Sequence, residues 1–384
     1  MVACDRALDA EGELIALLPA VILERAAKRH SNQARRRSSR AHRSSNTRQV
    51  ASRAADPAVD RLSGTDQAVT AIRQALMSQD VFAADPTGRP PDLDVLRRHI
   101  SSGWGAFQSS QYSALADRFP ATLRLGQLAA QRHEGRERLA AAGLLSMLYQ
   151  LATLALLKLG DVDAAWLAAD RGVAAAERSG HRLVLGSAGR MLTYVFLDAG
   201  ECEKAQQLGL AAVAALERKP QASVSRLSVL GALYLKTAVA AARRGDRSVA
   251  IDLLTSADRA AAELNADRND YWTAFGPTNV AAHTVSVAVE LGEPGYALDQ
   301  AKRVRLSRLP VPERRAQHLL DVARAHEQRQ QDAEAIELVL AAEQLAPEEV
   351  RLRPATRDLI SDILHRAPVV RRDLRELAHR LAAA

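Results

Sequence analysis

Aromatic residues make up only 4% of the 384-residue chain, and there are two cysteines, Cys4 and Cys202. Two thiols without a C-x-x-C partner exclude a disulfide framework or a paired-cysteine metal knuckle. No sustained alternation of β-branched and aromatic residues occurs, which argues against a sheet. The chain also has no Gly-x-x-x-x-Gly-Lys-Ser/Thr loop, no Gly-x-Gly-x-x-Gly turn and no His-Glu-x-x-His pair. "GSAG" at 186–189 holds Ser187 without the spacing of a nucleophile elbow. His318 and His326, two turns apart, read as surface residues. Neither enzyme activity nor a metal or cofactor is expected. The first residues, "MVACDRALDAEGEL", are acidic where a secretion signal is basic. The longest apolar run, 144–157, is shorter than a membrane span and contains Gln150. A cytoplasmic protein without membrane attachment is the expectation.

What is abundant is alanine, leucine and charge. Ala and Leu lose little side-chain entropy in helices, so the chain is expected to be all-α. The formal charge of +7 is unevenly placed. Residues 25–53 hold ten Lys or Arg and no acid, so without them the remainder carries −3. Three zones follow: a short junction helix over 1–23, a disordered basic linker over 24–60, and amphipathic helices over 61–384. Arg35, Arg36, Arg37 and Arg40 in the linker could touch phosphates weakly and without sequence preference; a solvated tether is the alternative.

A unit recurs within the helical zone. Each copy has an apolar helix, a Gly-acid turn, then a second helix with Ala five residues after the Gly. Gly160, Gly200, Gly245 and Gly292 are followed by Ala165, Ala205, Ala250 and Ala297. In a fifth copy Gln330 replaces Gly, and Ala335 follows. A weaker copy, "WGAFQSSQYSALADRF" (104–119), lies upstream. Gly can adopt the left-handed cap, and the acid faces the positive end of the next helix. Seven residues before each Gly stand Thr153, Thr193, Ala238 and Val285, small or β-branched as a close helix crossing requires. Repeats are placed near 101–125, 144–180, 186–218, 229–264, 277–305 and 314–347, with capping helices over 354–384.

The Gly-Asp turn, the Ala that follows it and Pro347 resemble tetratricopeptide repeats. Successive turns are 40, 45, 47 and 38 residues apart, longer than the usual ~34. Tyr149 and Tyr234 stand where that family has Trp. The stretches "DRALDAEGELIALLPAVILERA", "WGAFQSSQYSALADRFPATL", "FGPTNVAAHTVSVAVELGEPGYAL" and "LSRLPVPERRAQHLLDVARAHEQRQQDAEAI" are similar to the C-terminal sensor region of actinobacterial Cro/repressor-type (XRE) transcription regulators. In that family a helix-turn-helix domain precedes the first stretch. Here Met1 stands almost at the junction, so either coding sequence continues upstream or the chain is a stand-alone sensor. The resemblance implies transcription control through a peptide or small signal, and a homodimer. A protein-interaction scaffold with no DNA role is the competing reading.

In a solenoid of helical hairpins the first helix of each pair lines the concave face. Counting back from each turn puts Gln150, Arg190, Tyr194, Lys236, Asn279, His283, Gln317 and Arg324 there. Asn and Gln offer a peptide backbone both donor and acceptor, and Lys and Arg can take a carboxylate. "WTAFGPTNVAAH" (272–283) has two readings. Gly276-Pro277 starts a helix, with Trp272 and Phe275 packed on the preceding repeat; or Asn279 and His283, one turn apart, form one wall of a ligand groove.

Overall fold

In a computed structural model of the chain, residues 59–77, 88–218, 223–366 and 372–382 are described. The basic linker with Arg35, Arg36, Arg37 and Arg40, and the junction segment before it, lie outside the described residues. Sixteen α-helices and no strand occur among the described residues. They are α1 (Val59–Met77), α2 (Leu93–Gln108), α3 (Tyr112–Arg132), α4 (Gly135–Lys158), α5 (Val162–Ser179), α6 (Arg182–Asp198), α7 (Cys202–Glu217) and α8 (Val224–Arg243). Then come α9 (Arg247–Leu264), α10 (Pro277–Glu290), α11 (Pro294–Ala301), α12 (Pro312–Gln328), α13 (Asp332–Leu345), α14 (Pro347–Leu352), α15 (Pro354–Arg366) and α16 (Arg372–Ala382). The protein is all-α, and its helices pack in consecutive pairs, α4 on α5, α6 on α7, α8 on α9, α10 on α11 and α12 on α13.

Each pair turns on the same local device. Gly160, Gly200, Gly245 and Gly292 have φ of 82°, 80°, 76° and 72°, the left-handed region where a Cβ is costly. The residue after each donates its N–H five residues back, Asp161 to Leu156, Glu201 to Phe196, Asp246 to Ala241 and Glu293 to Ala288, at 2.8–2.9 Å. This satisfies carbonyls that the helix end would leave bare. Gln330 makes the same turn at φ 59°, and so does Ser110 at φ 56° in the upstream copy. The acid after the Gly acts in two ways. Asp161 and Asp246 accept from backbone N–H groups of the next helix, whereas Glu201 and Glu293 make no such cap. The longer glutamate reaches past the helix end; Glu293 instead pairs with Arg247 at 2.7 Å.

The small residues at the crossings are sealed. Ala165, Ala205, Ala250, Ala297 and Ala335, with Thr153, Thr193, Ala238 and Val285, are all 0% exposed. Helices α4 and α8 are long and apolar enough to cross a membrane, but 83% and 72% of those windows are buried inside the protein. The apolar run at 144–157 is thus the centre of a longer helix that is apolar all round because neighbours cover it.

The beginning of the array reaches across to its later parts. Trp104 of α2 stacks on Trp272, with centroids 5.0 Å apart and planes at 6°. Gln108 and Asn269 exchange amide hydrogen bonds at 3.0 and 2.8 Å. The Tyr112 hydroxyl donates to Glu349, and Glu348 accepts from the Tyr112 and Ser113 N–H groups at 2.6 and 3.0 Å. The turn Asp270–Trp272 packs on α8 of the preceding repeat, as the sequence leads one to expect, and the Trp272 ring also reaches the second described helix. Phe275 does pack on the preceding repeat, its ring filling the space over Gly231 of α8.

Candidate ligand-binding cavity

Helices α4, α6, α8, α10 and α12, the first members of five pairs, surround a cavity of about 430 Å³. That is within the usual range for small-molecule sites. Six of the eight expected positions line it: Tyr194, Lys236, Asn279, His283, Gln317 and Arg324. Counted back from their turns, these six sit 6, 9 or 13 residues upstream, a spacing that keeps them on one helix face.

Gln150 and Arg190 require a correction. Each sits 10 residues before its turn, and one residue rotates a side chain by about 100°. Gln150 is buried between α4 and α6, accepting from the Ser187 hydroxyl at 2.7 Å and donating to Ser146 at 3.1 Å. It joins two neighbouring first helices and does not line the cavity. Arg190 is also buried, behind the Tyr194 ring, with Nε and Nη2 meeting no acceptor. Enclosing an unpaired guanidinium costs on the order of several kcal/mol.

The wall built by α10 follows from its start. Pro277 occupies the first turn, where its missing N–H is no loss. Gly276 does not cap the helix with a side chain; a Cβ there would come within 2.6 Å of the backbone at 266–267. The cap is supplied by Asp267, which accepts from the Thr278 N–H at 2.9 Å and the Thr278 hydroxyl at 2.6 Å. The next residue, Asn279, is buried with its Oδ1 unpartnered. His283 Nδ1 donates to the Asn279 carbonyl at 3.0 Å, which leaves Nε2 as an acceptor. Burial, reinforced by Arg314 and Lys236, holds the His283 imidazole neutral and takes its pKa down to about 3.

Charge is sorted along the cavity. At one side Glu290 of α10 bridges Arg243 at 3.2 Å and Arg324 at 3.0 Å. Glu313, buried at the start of α12, takes Lys158 at 2.7 Å and Arg314 at 3.3 Å. Burial would raise the Glu313 pKa, but Arg314 and Lys158 outweigh it and hold it near 2. Glu349 takes Lys158 and Arg353. At the other side Tyr194 stands among Lys236, Arg190 and Arg314. No protein-family profile matches the chain, and no curated protein is significantly similar to it.

His318 corrects another expectation. Its spacing from His326 suggests a surface position, but it is buried on the cavity wall with Nδ1 unpartnered, and burial lowers its pKa. Lys158, Glu290, Glu313 and Arg314 were not singled out from the sequence. A charged residue at a helix end is ordinary in sequence, and only convergence from three separate helices marks these.

Proposed function

We propose that this chain is a regulatory sensor acting in transcription control, a tetratricopeptide-like solenoid that takes a peptide or small signal into the cavity on its inner face. The resemblance to XRE sensor regions supports the regulatory role. The observation that carries ligand binding is Asn279, a buried carboxamide with an unpartnered oxygen on the wall of a cavity of about 430 Å³. Buried polar groups without partners are rare in folded proteins, and each asks for one. Asn279 and the His283 acceptor, one turn apart, offer a peptide backbone both a donor and acceptors, whereas Gln317 beside them is already bonded to Asp321 and Arg353.

Ligand contacts to α6, α8, α10 and α12 at once would favour one relative setting of the pairs, and the sensor would report occupancy as a shift in that equilibrium. The test is native mass spectrometry of the chain recovered from an extract of its own cells. The expected result is a bound peptide or small molecule that Asn279→Ala no longer retains. The bare chain mass for the wild-type protein in every preparation would overturn the reading.

A further inference from the structure

Tyr194 faces three cations. Lys236 Nζ lies 3.9 Å from the ring centroid, and Arg190 Cζ lies 5.8 Å from it. Arg314 Nη2 donates to the phenol oxygen at 3.4 Å. Of the three only Arg314 has a carboxylate in contact, Glu313, and that carboxylate is shared with Lys158. Asp198, one turn along α6 from Tyr194, acts on Lys236 through space but forms no ion pair with it. Arg190 is 1% exposed, with two of its nitrogens unpartnered. Positive charge is therefore in surplus on one wall of a cavity that Lys236, Arg314 and Tyr194 all line. Low-dielectric surroundings strengthen such a field and favour an incoming anion.

We propose that the Tyr194 side of the cavity is a binding subsite for a small oxyanion, a carboxylate or a phosphate, held between Lys236 and Arg314. The proposal rests on the cavity being a ligand site. Lys236 and Arg314 make the direct contacts. Arg190 acts from behind as a positioning residue, through its charge and its place against the Tyr194 ring. The phenol adds a hydrogen-bond donor when protonated.

The phenol also reports on the site. Burial pushes the Tyr194 pKa up, but Arg314, Lys236 and Arg190 together outweigh it and bring it to about 7. The three cations thus draw a proton from the nearest neutral group. An oxyanion arriving between them offsets that pull, so the phenol regains its proton. Binding and tyrosinate formation oppose each other by linkage.

The experiment titrates the full chain at about pH 7.5, between the Tyr194 pKa of about 7 and that of Lys236, which burial takes down to about 8, so that the phenol is mostly ionised and the amine mostly charged. Sodium phosphate and sodium acetate are added in separate arms at constant ionic strength, and the near-ultraviolet tyrosinate band is followed. A saturable loss of that band is expected with at least one anion, and the arm that responds identifies the group. The affinity should fall about tenfold in Lys236→Met or Lys236→Gln, whichever circular dichroism shows to be folded. In Tyr194→Phe the optical change should vanish while calorimetry still detects the anion. Failure of the wild-type chain to respond to either anion overturns the subsite, as does an unchanged affinity in a folded Lys236 variant. A chain that retains an extract ligand through Asn279 yet ignores both anions loses the subsite and keeps the cavity. One that neither retains an extract ligand nor responds to an anion loses both.

Discussion

Trp104 and Trp272 lie face to face, 5.0 Å between centroids, although 168 residues separate them. The contact ties the first described hairpin to the loop that precedes the Asn279 wall. That loop is backbone-strained, with Tyr271, Trp272 and Ala274 at φ of 51°, 52° and 50°. Such conformations persist only where surrounding contacts hold them. Trp272→Ala should destabilise the chain by about 2–3 kcal/mol, read from urea midpoints, and should weaken any ligand that uses Asn279.

The Asp267 carboxylate does the capping that Gly276 leaves undone. Asp267→Ala should cost about 1–2 kcal/mol, since it strips two hydrogen bonds from the first turn of α10. Asp267→Asn should recover part of this loss, because one amide oxygen can still accept. Equal losses in the two variants would mean that charge, and not the cap, is what matters.

The turn glycines predict a pair of opposite effects. A Cβ on Gly245 meets nothing within 4 Å, so Gly245→Ala is penalised by its φ of 76° alone, by about 1 kcal/mol. Gln330 already bears that strain at φ 59°. Gln330→Gly should therefore stabilise the chain, by about 0.5 kcal/mol after the added freedom of the unfolded state is counted. Thermal midpoints moving in the same direction for both variants would refute the shared turn.

His283 makes stability depend on pH. Its folded pKa of about 3 lies below the ordinary 6.5, so between these values the unfolded chain binds the extra proton. Stability from this group is complete above 6.5 and declines as the pH falls through that window. His283→Gln should flatten the decline between about pH 6.5 and 5.5, where most carboxylates are still ionised. A wild-type urea midpoint that is level over that interval would contradict the buried neutral imidazole.

Much of the architecture could be read locally. A left-handed turn needs Gly or a tolerated substitute, and a close crossing needs Ala or Thr; both depend on a few neighbouring residues. Hence Gly160, Gly200, Gly245, Gly292 and even Gln330 stood where the sequence put a turn. The site was only partly legible. Tyr194, Lys236, Asn279, His283, Gln317 and Arg324 meet at one cavity, whereas a one-residue offset sends Gln150 and Arg190 elsewhere. Helix phase must be known to better than a residue to assign a face, and spacing from a turn is not that sharp.

The order of hairpins, their turns and their sealed crossings were determined by the amino-acid sequence alone, because each depends on residues within about a dozen positions. Which charges are balanced was decided only by the tertiary structure. Lys158 of α4 is shared by Glu313 of α12 and Glu349 of α14, whose remaining charge Arg314 and Arg353 meet, and Arg190 finds no such carboxylate. Electrostatic balance depends on distance through space, and no pattern along the chain encodes which helix will supply the opposite charge.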